Sequence, residues 1–170
     1  MTIAGDTVAT EDHLLTKIEH GIFMSPDSVR FLIVHCSATR ETQDYTVEQL
    51  KHDHLARGFL DVGYHYYIRR DGTVTQHRRL NEVGAHCRPF NRCSIGICYE
   101  GGLDAKGNHK DTRTLKQRAA LVTILIELKK KFPKALIRGH NEMPGAVPKA
   151  CPCFKPSKEY AYLNTSPLTL

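Results

Sequence analysis

Val29-Arg30-Phe31-Leu32-Ile33-Val34-His35 is an apolar run of strand length, broken only by Arg30 and rich in branched side chains. A strand with one wet face alternates apolar and polar residues. A continuous run reads instead as a strand buried on both faces. Downstream, Thr46-Val47-Glu48-Gln49 reads as a capping box that opens a helix through about Arg57, with Gly58 as its stop. Residues 64–70 read as a second strand, Asp71-Gly72 as a tight hairpin turn, and residues 73–77 as the return strand. Residues 95–100 form another strand pattern, closed by Gly101-Gly102. A long helix is predicted over 114–131. Its face carries Leu115, Ala119, Val122 and Ile126, widened by Leu121, Leu125 and Leu128. Lys129, Lys130 and Lys131 suit the negative end of its dipole, and Pro133 stops it. Residues 135–139 read as a last strand. The sum is an α/β fold: a single domain with a mixed central sheet of about five strands flanked by helices.

The chain of 170 residues is long enough to bury ~70% of its unfolded surface without covalent staples. With 41% hydrophobic and 25% charged residues, the composition excludes a largely disordered chain, a collagen or a membrane protein. The apolar stretch at 119–128 is interrupted by Thr123 and Glu127 and is too short to span a bilayer. Residues 1–28 read as an extension with five acids and one base, which leaves 23 bases and 13 acids, a net of +10, on the rest. In that extension Leu14, Leu15, Ile18, Ile22 and Phe23 suit a short helix, and Pro26-Asp27 marks a boundary. The domain is placed at 29–160, with 161–170 as a tail. A basic body favours an anionic partner: nucleic acid, an envelope polymer or a membrane surface. No apolar export signal is read at the start, so cytoplasmic synthesis is expected. The six Cys then read as thiols, core residues or metal ligands. In an oxidising compartment, Cys87 and Cys93, on either side of Pro89, are candidates for a small disulfide.

Three polar residues fall at element ends. His35 ends the first strand, His140 follows the last strand, and Cys151 lies in the loop beyond. Open α/β sheets gather ligands at strand ends. Two His and one Cys would fill three corners of a zinc tetrahedron and leave the fourth open, as in catalytic sites. By spacing alone the alternatives stay open: a hydrogen-bonded strand-end His, a loop-capping His and a Cys acting as a small buried hydrophobe. His52 and His54, two apart on a helix, face different ways and cannot chelate one ion together.

Longer strings narrow the reading. Val34-His35-Cys36-Ser37-Ala38-Thr39, Asp61-Val62-Gly63-Tyr64-His65-Tyr66 and Arg70-Asp71-Gly72-Thr73 occur in that order. They are followed by Val83-Gly84-Ala85-His86, by Asn91 ahead of Ser94-Ile95-Gly96-Ile97, and by Pro148-Lys149-Ala150-Cys151-Pro152. Together they resemble the zinc-dependent N-acetylmuramoyl-L-alanine amidases of type 2, a superfamily that includes small phage lysozymes and animal peptidoglycan recognition proteins. The resemblance covers residues 29–154. It implies a zinc site in a groove at strand ends, with one Zn²⁺ held by His35, His140 and Cys151. It implies Tyr64 and Lys149 as catalytic residues, and a loop bearing His86, Arg88 and Asn91 that faces the substrate, with Arg92 beside them. Relatives of the cytoplasmic amidases carry Asp at the third ligand position, so Cys151 places this chain nearer the phage branch.

The activity so implied is hydrolysis of the amide between N-acetylmuramic acid and L-alanine of peptidoglycan, by a monomer without a transmembrane segment. For a chain without an export signal, action on the wall follows release from the cell, as for a phage-type endolysin. The alternative from another class is a peptidoglycan-binding module without hydrolase activity. Family members of that kind have lost zinc ligands, whereas all three positions are intact here. A nucleic-acid binder is set aside, because no finger, helix-turn-helix or aromatic RNA motif accompanies the basic charge.

Overall fold

A computed structural model describes residues 22–147 and 149–165. The opening apolar run forms β1 (Phe31–Cys36), followed by the two-residue strand β2 (Thr39–Arg40) and by α1 (Val47–Ala56). Thr46 caps α1 by accepting from the Gln49 amide, but the Gln49 side chain bonds Asp53, so only half of the expected capping box forms. Next come β3 (Tyr66–Ile68), β4 (Val74–Gln76), β5 (Ser94–Tyr99), β6 (Gly102–Leu103), α2 (Leu115–Lys131) and β7 (Leu136–Gly139). Two short helices, α3 (Pro156–Glu159) and α4 (Ala161–Thr165), close the described chain.

The main sheet has five strands in the order β4-β3-β5-β1-β7. β1 runs parallel to both β5 and β7, β3 runs parallel to β5, and only the β3–β4 hairpin is antiparallel. The sheet is therefore mixed, as the sequence predicts. β2 and β6 pair separately, in parallel.

Residues of the central strands alternate between two covers. Leu32 and Val34 of β1, Ile95 and Ile97 of β5, and Ile137 of β7 pack with Leu121, Leu125 and Leu128 of α2. On the other face Tyr67 and Cys98 pack with Tyr45, Leu50 and Val62, while Ile33 packs with Cys87 and Met143. That second cover consists of one short helix and loops, and it leaves room for a groove.

The apolar stripe of α2 is rotated from its expected position. Leu115 is 85% exposed, whereas Gln117, Leu121, Leu125 and Leu128 form the buried seam. Gln117 takes the first place in that seam because its amide nitrogen donates to the carbonyls of Ile68 and Glu100. Its carboxamide also completes a capping box with Thr114. Lys129 is buried too, its ammonium donating to the carbonyls of Pro133 and Ala135.

The flanking segments are tied to this body. Of the N-terminal extension, residues 22–28 are described: the Met24 amide donates to the Asn81 carbonyl and the Val83 amide to that of Ile22. Of the residues expected in a short helix, Leu14, Leu15 and Ile18 lie outside the described residues, whereas Ile22 and Phe23 are not helical and Phe23 bridges to Glu82. The expected tail begins with α4, whose Leu163 joins the core. Asn164 accepts from the Ile137 amide (2.8 Å) and donates to its carbonyl (3.3 Å), lying along β7 as a neighbouring strand would. Among the described residues, no helix is long and apolar enough to cross a membrane.

Candidate metal centre and groove

The strand register brings the two histidines together. β1 and β7 are parallel neighbours, with Val34 opposite Gly139. The next residues after this pair are His35 and His140, and their ring centroids stand 4.8 Å apart. Cys151 arrives from the loop beyond. Its carbonyl accepts from the Asn141 amide (2.8 Å), and its Sγ accepts from the Cys36 amide (3.2 Å). Further along, the Tyr99 hydroxyl holds the Pro152 carbonyl at 2.6 Å.

One donor atom from each of His35, His140 and Cys151 lies within 4.8 Å of the others, and Cys151 Sγ is 3.8 Å from His35 Nδ1. A zinc tetrahedron with arms of 2.0–2.3 Å sets its donors about 3.5 Å apart. The trio therefore fits a metal ion with small adjustments. Its nitrogen, nitrogen and sulfur donors suit zinc, and all three residues are buried. Burial is the main cause that holds the His35 imidazole well below its usual range, with His86, His140 and Lys149 adding to it. His140 is lowered by burial and then by Lys149. Both rings are thus kept neutral, the form that binds metal. The adjacent Cys36 thiol is pushed up to about 12, first by its hydrogen bond with Cys151. It remains an uncharged neighbour.

The trio opens into a groove of about 590 Å³. Tyr64 and Lys149 both line it, Lys149 being solvent-exposed. The Tyr64 ring lies 5.2 Å from that of His35. Burial, foremost, pushes the Tyr64 hydroxyl well above its usual range, so it is a hydrogen-bond donor and not a base. Pro148, in the loop that carries Lys149, lies outside the described residues.

The expected substrate loop divides in two. Arg88 is exposed on the groove wall. His86 and Asn91 also line the groove, but both ring nitrogens of His86 and the Asn91 Oδ1 are engaged by the protein itself. Asn91 Oδ1 accepts from the amides of His86 (2.9 Å) and Cys87 (2.8 Å). His86 meets His35 through one ring nitrogen and Ser94 through the other. Arg92 is exposed and does not line the groove. All six Cys are free thiols, Cys87 and Cys93 included.

Three groove residues escaped the sequence reading: His54, Arg57 and Phe59. His52 is exposed while His54 is 4% exposed, so the two do face different ways. His54 Nδ1 accepts from the Gly63 amide at 2.8 Å. The available signal was the four-residue spacing from buried Leu50, which puts His54 on the inner face of α1.

A family model described as N-acetylmuramoyl-L-alanine amidase matches residues 25–154. The endolysin of Enterobacteria phage K11 is 46% identical over 121 residues, which is 71% of this chain and 78% of that protein. The endolysin of Escherichia phage T7 is 41% identical over 132 residues, 78% of this chain and 85% of that one. Among solved structures, the endolysin amidase LysCS from Clostridium intestinale superposes with a TM-score of 0.68 at 25% identity, over 85% of this chain and 90% of that chain.

Proposed function

We infer the activity from family membership: this chain belongs to the N-acetylmuramoyl-L-alanine amidase family. It is a peptidoglycan hydrolase that cleaves the amide between N-acetylmuramic acid and L-alanine. The observation that carries the mechanistic reading is the convergence of His35, His140 and Cys151 at the floor of a groove that Tyr64 and Lys149 also line.

In this reading His35 and His140, as neutral imidazoles, and Cys151, as a thiolate, hold one zinc ion. A zinc ion held there supplies Lewis acidity and makes water acidic near neutral pH. The chain's own residues do the rest. The Tyr64 hydroxyl donates to the scissile carbonyl oxygen as negative charge grows on it. Lys149 sets a positive charge beside the same oxygen. Donors aimed at developing charge are worth ~10²–10³ in rate each. Arg88, on the groove wall, pairs with a stem-peptide carboxylate. The enzyme acts as a monomer on the cell wall after release from the cell that makes it.

Metal analysis of wild type and Cys151→Ala, paired with turbidity clearing of purified cell walls, tests this. The expected result is about one zinc per wild-type chain, wall clearing with release of L-Ala-linked peptides, and loss of both in the variant. Wall binding without cleavage when zinc is supplied would make the chain a binding module instead.

A further inference from the structure

The hydrogen bonds behind His35 run in one direction, and that direction can be assigned atom by atom. The Phe90 carbonyl can only accept, and Ser94 Oγ lies 2.7 Å from it, so the hydroxyl proton points there. Ser94 Oγ must then accept from its other neighbour, His86 Nε2, at 3.2 Å. A neutral imidazole protonated on Nε2 presents a lone pair on Nδ1. His86 Nδ1 faces His35 Nε2 at 2.8 Å, so His35 donates from Nε2. The lone pair left on His35 is on Nδ1, the atom that faces Cys151 Sγ.

The His86 ring is held for this task from three sides. Asn91 fixes the backbone on which it sits. A Cβ at Gly96 would come within 2.7–2.8 Å of the His86 ring atoms Cγ, Cδ2 and Nδ1, and one at Gly84 within 2.6 Å of Cδ2. Neither glycine has a positive φ, so what they supply is room for the ring. Ser94 and Gly96 are two apart on β5 and therefore share a face.

We propose that His86 is a positioning residue and not a substrate contact. Together with Asn91, Ser94 and Gly96, it locks His35 in the tautomer whose Nδ1 receives the metal. The Asn91-x-x-Ser94-x-Gly96 spacing is thereby given one purpose. This rests on the metal reading above. An outer partner that fixes a ligand imidazole typically contributes 10–100-fold in metal affinity.

The test is zinc affinity, measured by chelator competition on the full chain, with long-range ¹H–¹⁵N spectra of the histidine rings in the zinc-loaded protein. Wild type should carry its protons on Nε2 of both His35 and His86. His86→Leu should weaken zinc binding about 10–100-fold, and His86→Asn, whose carboxamide oxygen can still accept from His35, should recover most of it. A purely structural role would lower the melting temperature of the metal-free protein in both variants alike and would show no such recovery. Gly96→Ala, which touches no metal ligand, should displace the ring and weaken zinc binding in the same sense. The proposal is overturned by a proton on His86 Nδ1 in the wild-type spectrum, or by unchanged zinc affinity in folded His86→Leu. If His86→Leu does not fold, the wild-type spectrum and Gly96→Ala still decide. Wild type without zinc affinity would overturn the metal reading itself, which is a separable failure.

Discussion

On β1, Leu32 and Val34 meet α2 while Ile33 and His35 face away from it; on β5, Ile95 and Ile97 meet α2 while Ser94 and Gly96 face the His86 ring. One set of strands thus builds an apolar seam and a polar site, separated by a single residue step. The α2 side is closed by matched aliphatic side chains, where loss of volume is costly. The α1 side is closed by loops and hydrogen bonds with defined directions, where loss of one donor or acceptor is costly. Changes on the first side should be read in stability, and changes on the second in metal binding and turnover.

The largest expected effect breaks the site and spares the seam. His140→Ala should lose bound metal and reduce wall clearing to background, while its urea midpoint in chelator stays close to that of metal-free wild type. A large drop in that midpoint would mean that His140 is part of the core. Tyr64→Phe should keep the metal and slow turnover ~10²–10³-fold; undiminished turnover removes Tyr64 from the mechanism. Leu125→Ala reverses the comparison. It should cost about 2–5 kcal/mol in chemical denaturation and leave turnover per folded molecule unchanged. A change in KM there would show that the two faces are coupled.

A further expected effect is on pH, and it belongs to the polar face. His54 and His65 are buried, and burial lowers each imidazole to about 4. Both accept a backbone amide on Nδ1, from Gly63 and Gly96 respectively, and so must be neutral. In the unfolded chain they titrate near about 6.5. Between these values the unfolded chain binds more protons, so stability is fully present above pH 6.5 and declines as pH falls toward 4. Metal-free protein should therefore show a lower urea midpoint at pH 5 than at pH 7. Equal midpoints would mean that these rings are not held neutral.

What was legible in the sequence is what depends on near neighbours. The apolar run of β1, the hairpin at Asp71-Gly72 and the Thr46 cap each carry their own signal within a few residues. The stripe of α2 was misplaced because Gln117 and Lys129 are buried through carbonyl partners that a hydropathy pattern does not register. β2, β6, α3 and α4 are too short to show a period. In the site, His35 and His140 stood out at strand ends. The pairing of Val34 with Gly139, which makes them neighbours, is a long-range register that no local pattern encodes. Cys151 is legible as a candidate ligand in the loop beyond β7, and only the family strings favour that role over a small buried hydrophobe. The relay through His86 and Ser94 was out of reach because it depends on which atom of each ring carries hydrogen.

Asn164 has a consequence beyond the fold of the single chain. β7 is an edge strand, and between Leu136 and Arg138 the backbone of Ile137 points outward, away from β1. Bare edges of this kind are templates for pairing with another molecule. The Asn164 carboxamide occupies both outward groups of Ile137, and α4 lies where an incoming strand would dock. Asn164, with Arg138 Nη1 also donating to the Ile137 carbonyl (3.0 Å), thus guards this edge of the sheet against edge-to-edge aggregation. Replacing Asn164 with Leu, a residue of similar size, should appear first as self-association at high concentration, before any loss of catalysis.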